Sequence, residues 1–141
     1  MRASKGALEN TPVPIKIKLS ALWASLMFCY IYGDYFGLYR PGTLKSMLDG
    51  QMGPLGPTTQ GVLLATALLM AVPSLMVILC LVLPPAINRI ANIVLGLAYA
   101  AIMLMSMPGA WHFYLVLGCI EVALSLLTVW YALRWPRQPA L

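Results

Sequence analysis

The sequence predicts an all-α protein, a membrane-spanning antiparallel four-helix bundle with both its N-terminus and its C-terminus cytoplasmic. Two observations lead there. Charged residues make up 9% of the chain and hydrophobic residues 61%, with a mean hydropathy of +0.84. Soluble domains carry roughly 25% charged residues, so this chain lacks the charges to clothe a surface in water. Its apolar residues also fall into four stretches, each close to the ~20 residues that a helix needs to cross a bilayer.

The first stretch is expected to be helical over 17–39. It follows Lys16 and Lys18, and it ends at Arg40-Pro41, where the proline disfavours helical geometry in the residue before it. Its last third carries Tyr30, Tyr32, Tyr35, Phe36 and Tyr39. Aromatic side chains with a polar tip suit a membrane–water boundary. A loop over 40–60 follows, rich in Gly and Pro. Leu44, Met47 and Leu48 share one helical face within it, which predicts a short interfacial helix over 43–49. Thr58 or Thr59 is placed to cap the next helix.

The second span, 61–83, carries no charge. Pro73 near its middle removes one backbone hydrogen bond and crowds the carbonyl of Leu69, so a kink is expected. Pro84-Pro85 ends this helix and suits the first turn of the third, over 86–107. That third helix opens with Asn88, Arg89 and Asn92 and continues with Ala91, Gly96, Ala98, Ala100 and Ala101, small residues that allow close helix contact. Pro108-Gly109 turns the chain into the fourth span, 111–135. The four helices form one transmembrane domain over 16–136. A flexible, polar segment over 1–15 precedes it and a short tail over 137–141 follows.

The net charge of +5 is topological in placement. With the N-terminus inside, seven basic residues (Arg2, Lys5, Lys16, Lys18, Arg89, Arg134 and Arg137) lie on the cytoplasmic side and two (Arg40 and Lys45) on the outer side. That is the positive-inside bias of a multi-pass protein of the cell inner membrane. No basic stripe with interleaved aromatics is present, which excludes a nucleic-acid partner. Residues 1–15 hold no apolar core of a signal peptide, so the first span is read as retained. Cys29, Cys80 and Cys119 all lie in apolar runs and form no CxxC pair. No P-loop, dinucleotide fingerprint or ligand set for a metal occurs, so no cofactor and no metal are expected.

Ionisable groups inside spans are costly and raise functional hypotheses. Glu121 lies roughly 15 Å below the outer end of its helix at ~1.5 Å per residue, near the bilayer centre. An ionised carboxylate there is disfavoured unless paired or hydrated, and a proton shared with a neighbour is expected. Tyr114, Gly118, Glu121, Ser125 and Thr128 recur at three- and four-residue spacing and form a stripe that should face the bundle interior. The plainer reading is a polar seam that holds helices together. Asp34 is about one helical turn or more below the outer end of the first span and shares a face with Trp23, Met27 and Tyr30. A tyrosine hydroxyl is a candidate donor to it; the plainer reading is a carboxylate reaching outer water. Arg89 is close enough to the inner boundary to extend its head into water as an anchor. Asn92 is deeper, and Glu121 is its candidate partner. The expected site thus comprises Glu121, Asp34, Asn92, Arg89, Tyr30 and Ser125, with Glu121 as protonatable centre, Asp34 as outer relay and Asn92 and Arg89 as inner donors.

Several phrases carry a resemblance. They are Tyr32-Gly33-Asp34 with Pro41-Gly42, Gly56-Pro57-Thr58, Asn88-Arg89-Ile90-Ala91-Asn92-Ile93, and Glu121 leading to Trp130-Tyr131-Ala132 and Trp135. Together they resemble a family of small bacterial four-helix membrane proteins known as a domain of unknown function, over most of the chain beyond residue 15. The resemblance implies the architecture and brings no activity. Small multidrug-resistance transporters also have four short helices, with an essential Glu in the first. Here the deep Glu is in the fourth, so that likeness fails.

The leading expectation is a non-enzymatic membrane protein whose polar interior binds or passes a small ligand or protons. The alternatives are a structural or accessory subunit packing with a partner or with itself, and a membrane enzyme acting on a lipid or quinone.

Overall fold

The computed structural model describes residues 11–136. The segment expected over 1–15 lies outside the described residues up to position 10, and the tail over 137–141 lies outside them entirely. Four long helices are present: α1 (Ile15–Gly37), α3 (Gln60–Val82), α4 (Pro85–Ser106) and α5 (His112–Leu133). A short helix, α2 (Thr43–Leu48), and a single 3-10 turn (Gly53–Leu55) fill the connection between α1 and α3. All four long helices are long and apolar enough to cross a membrane. The chain is built as a multi-pass membrane protein.

Local chemistry sets the ends. The Pro14 carbonyl accepts the backbone N–H groups of Ile17 and Lys18, so α1 starts at Ile15, two residues before the expected position. Thr59 caps α3, its hydroxyl accepting from the Val62 N–H at 3.2 Å. Gly42 enters α2 with φ +83, a left-handed conformation that a Cβ would strain. Pro85 occupies the first turn of α4, where its missing N–H has no helical partner to lose.

One end of the bundle holds the α1–α3 connection and the α4–α5 turn and is termed the loop end. The opposite, terminal end holds the starts of α1 and α4 and the ends of α3 and α5. The closest backbone approaches are α4 on α5, α1 on α5 and α1 on α3. Side chains bridge α3 to α4.

Each helix presents a narrow buried seam. On α1 it is Leu19, Trp23, Leu26 and Gly33; on α4, Asn88, Asn92, Gly96, Tyr99, Ala100 and Met103. On α5 it is Gly118, Glu121, Ser125, Thr128, Val129 and Ala132. Steps of three and four keep such residues on one stripe of a helix. The outside carries apolar side chains such as Leu64, Leu68, Ile90, Val94, Leu104 and Val116, all exposed. This is the inverse of a soluble bundle and suits hydrocarbon as solvent.

Small residues let α4 and α5 approach closely. A Cβ on Gly96 would stand 2.7 Å from Val129 Cγ2 and 3.1 Å from the Ser125 carbonyl. One on Gly118 would collide with the Met103 methyl. The Gly/Ala face of α4, expected to permit close helix contact, does so within this bundle.

Candidate functional site

The bundle interior holds two polar groups of opposite character. The first lies in its terminal half. The Trp23 indole N–H donates to Asn92 Oδ1 at 2.7 Å. The Asn92 amide donates to the Asn88 side-chain oxygen at 2.7 Å and to the Asn88 carbonyl at 2.8 Å. The Asn88 amide donates to the Cys80 carbonyl at 2.6 Å. Cys80 Sγ is 3.5 Å from the Asn92 amide. Asn88 and Asn92 are both 0% exposed, and the network ties α4 to α1 through Trp23 and to α3 through Cys80.

The Cys80 carbonyl is available because Pro84, four residues on, has no N–H to offer it. The same rule operates twice more on α3. Leu81 loses its partner to Pro85, and Lys16 Nζ donates to its carbonyl at 3.2 Å and to that of Leu83 at 2.7 Å. Leu69 loses its partner to Pro73, and the Tyr99 hydroxyl donates to it. Thus α4 and α1 supply a donor for each of these carbonyls.

The second polar group lies nearer mid-helix on α5. Glu121 is 3% exposed and Ser125, one turn on, is 2% exposed. Glu121 Oε2 and Ser125 Oγ are buried with no hydrogen-bond partner among the described residues. Residues of α1 and α4 surround this pair. Glu121 interacts electrostatically with Asp34, Tyr30 and Cys29, and Tyr30 in turn with Tyr99 and Tyr114. The Tyr30 and Tyr99 ring centroids are 6.4 Å apart, and Trp23 meets Tyr99 edge-on at 5.8 Å. Register follows from α1 running antiparallel to α5: Phe36 packs on Phe113 and Gly33 faces Leu117, so Tyr30 falls level with Glu121. Asp34 lies one turn nearer the loop end, on the exposed side of α1.

The expected site residues therefore separate. Glu121, Ser125 and Tyr30 converge, and Asp34 stands within electrostatic range. Neither Tyr30 nor Asp34 makes a side-chain hydrogen bond among the described residues, so the expected tyrosine-to-Asp34 donation is not formed. Asn92 is not Glu121's partner; its amide is committed to Asn88, Cys80 and Trp23. The two differ in depth. Asn92 is roughly 10 Å from the terminal end of α4 and Glu121 roughly 18 Å from that end of α5, at ~1.5 Å rise per residue. Arg89 turns to the end of α5, where Nε donates to the Ala132 carbonyl at 3.1 Å and Nη2 lies 3.5 Å from that of Leu133. These carbonyls have no helical donor of their own, and a cation suits the negative end of a helix. A chain from Asp34 through Glu121 and Asn92 to Arg89, which the sequence permits without demanding, is not formed between Glu121 and Asn92.

Tyr114, expected on the polar stripe, is half-buried and shares a hydrogen bond with the Ser106 hydroxyl at 3.2 Å. Thr128 returns its hydroxyl to the Leu124 carbonyl at 3.0 Å. Four residues of this interior were not singled out as site residues: Trp23 as donor, Asn88 as the link from Asn92 to α3, Cys80 as acceptor and Tyr99. The prolines held the signal, since each names the carbonyl four residues back that needs a new donor. Among the described residues, no three His, Cys, Asp or Glu side chains gather as a metal would require.

The model of a family of unknown function (DUF6326) matches residues 14–140. The chain belongs to this family. Neither a curated protein nor a solved structure matches it. For this DUF6326 protein the reading of function therefore rests on the geometry above: a saturated polar plug in the terminal half of the bundle, and an unsatisfied carboxyl with a neighbouring hydroxyl at its middle.

Proposed function

We propose that this is a bacterial inner-membrane protein whose bundle binds a proton at Glu121, reached from the loop end past Asp34 and Tyr30. The observation that carries the reading is the burial of Glu121 Oε2 without a donor among the described residues. A carboxylate in hydrocarbon is costly unless its charge is compensated. With no cation paired to it among the described residues, a proton is the smallest species that supplies compensation. Ser125, one turn on, and Tyr30, level with it on α1, bring hydroxyls to the same depth, and neither is hydrogen-bonded to the carboxyl.

The same geometry favours binding over passage. Trp23, Asn88, Asn92 and Cys80 use their polar atoms on one another, and Leu19, Leu26 and Met76 pack around them. Among the described residues, the polar side chains of this layer are therefore spent on one another and do not lead on from Glu121 to the terminal end.

Infrared spectroscopy of the reconstituted protein tests this. Wild type should show a protonated-carboxyl band that titrates with pH and is missing from Glu121→Gln. Proton permeability of the vesicles should be equal for both. A wild-type spectrum without a Glu121-dependent band would refute the proposal, and a permeability that depends on Glu121 would replace binding by passage.

A further inference from the structure

A second site lies at the loop end, away from Glu121. Phe36, Tyr39, Arg40, Trp111 and Phe113 line an open groove of about 270 Å³. Phe36 is in the last turn of α1 and Phe113 in the first turn of α5, so the groove sits where two adjacent spanning helices leave the apolar layer. Phe36 and Phe113 meet edge-on at 6.4 Å and give it an aromatic wall. The Arg40 guanidinium lies over the Trp111 ring at 5.5 Å.

This placement over the indole leaves the guanidinium N–H groups unspent. Arg40 has no side-chain hydrogen bond or ion pair among the described residues. The cations of the terminal end divide between two placements. Lys16 and Arg89 are spent on helix-end carbonyls, and Lys18 and Arg134 lie over Tyr131 and Trp130. Arg40 is set apart by lining an aromatic groove.

A planar guanidinium with free donors recognises a phosphate oxyanion in two-point fashion. Aromatic walls beside it take the apolar part of the same molecule. The groove lining holds a cation and no carboxylate, so a headgroup bearing its own ammonium would set like charges together. The geometry points to a structural binding site for one anionic phospholipid, with its phosphate on Arg40 and its glycerol and upper acyl chain against Phe36, Trp111 and Phe113. Phosphate chemistry is also offered by free phosphate, but the apolar walls would then contact only water.

Native mass spectrometry of delipidated protein tests the assignment, with phosphatidylglycerol and phosphatidylethanolamine added singly. Wild type should hold one phosphatidylglycerol in preference to phosphatidylethanolamine by about fivefold, the scale of one basic residue at an anionic lipid surface. Arg40→Gln should lose that preference, Arg40→Lys should keep part of it, and Lys45→Gln, a nearby cation outside the groove, should keep all of it. Excess inorganic phosphate should leave the lipid bound. Equal preference in wild type and Arg40→Gln would overturn the site, and so would an equal loss in Lys45→Gln, which would mean a diffuse field. Displacement by inorganic phosphate would overturn the lipid assignment.

Discussion

The Tyr99 hydroxyl on α4 donates to the Leu69 carbonyl on α3, the acceptor that Pro73 deprives of its helical partner. The pairing turns a defect in one helix into a tie to another. In hydrocarbon no water replaces the missing N–H, so the tie should be retained wherever the proline is. Tyr99→Phe keeps the ring and removes only the donor. Its cost should be about 1–2 kcal/mol, as for a membrane hydrogen bond whose loss strands a backbone acceptor. Pro73→Ala returns an N–H to the helix, so Tyr99→Phe should cost much less in that background. Unfolding in mixed micelles, read as a double-mutant cycle, checks this; the same cost in both backgrounds would show that the hydroxyl serves something other than the proline gap.

The Asn88-Arg89-Ile90-Ala91-Asn92 phrase separates into unequal parts. Asn92 joins Trp23, Asn88 and Cys80 in the buried core, so Asn92→Leu leaves the Trp23 indole N–H and the Asn88 oxygen unmet. The expected loss is about 2–3 kcal/mol, the scale of stranding buried polar groups. Arg89 reaches the last carbonyls of α5 from a partly exposed position, and Arg89→Ala should cost under about 1 kcal/mol. Chemical unfolding of the two variants decides; equal costs would mean that the network is not what holds this end together.

Spans, turns and caps were legible in the sequence because they follow from local rules. Run length marks a crossing, Pro84-Pro85 a stop and a start, and Thr59 a cap. The inward stripe of Gly118, Glu121, Ser125 and Thr128 was equally local, a matter of helical period. Partner choice was not local. Asn92 and Glu121 were expected to meet because each is deep, yet their depths were counted from opposite ends of antiparallel helices. Which face of α1 meets α4 decided that Trp23, and not Glu121, satisfies Asn92. Arg89 likewise answers to the end of α5, which only tertiary packing brings beside it.

Two glycines in long helices should respond oppositely to the same change. Gly96→Ala puts a methyl against Val129 and the Ser125 carbonyl, and a carbonyl on a packed helix cannot rotate away. Separating α4 from α5 should cost about 1–3 kcal/mol. Val129→Ala should recover part of it, since the shorter of the two contacts is to the Val129 side chain. Gly37→Ala meets nothing within 4 Å and has no left-handed backbone, so it should be neutral or stabilising. Thermal unfolding of both in one detergent checks the contrast. A neutral Gly96→Ala would mean that the α4–α5 contact is looser than these distances require.

Replacing Glu121 separates a residue kept for what it binds from one kept for holding helices together. If its carboxyl were structural glue, a partner would donate to Oε2, and removing the carboxyl would strand that partner. No such partner exists among the described residues. Glu121→Gln should therefore change stability by less than about 1 kcal/mol, and Glu121→Leu, which buries no polar atom, should be neutral or stabilising. Proton uptake should vanish in both. The test pairs unfolding with the infrared titration on the same samples. Loss of stability with uptake retained would assign Glu121 to the scaffold and move the protonatable group to Asp34. Stability retained with uptake lost is the outcome that the orphaned oxygen predicts, because natural proteins keep a destabilising buried charge only where it performs a task.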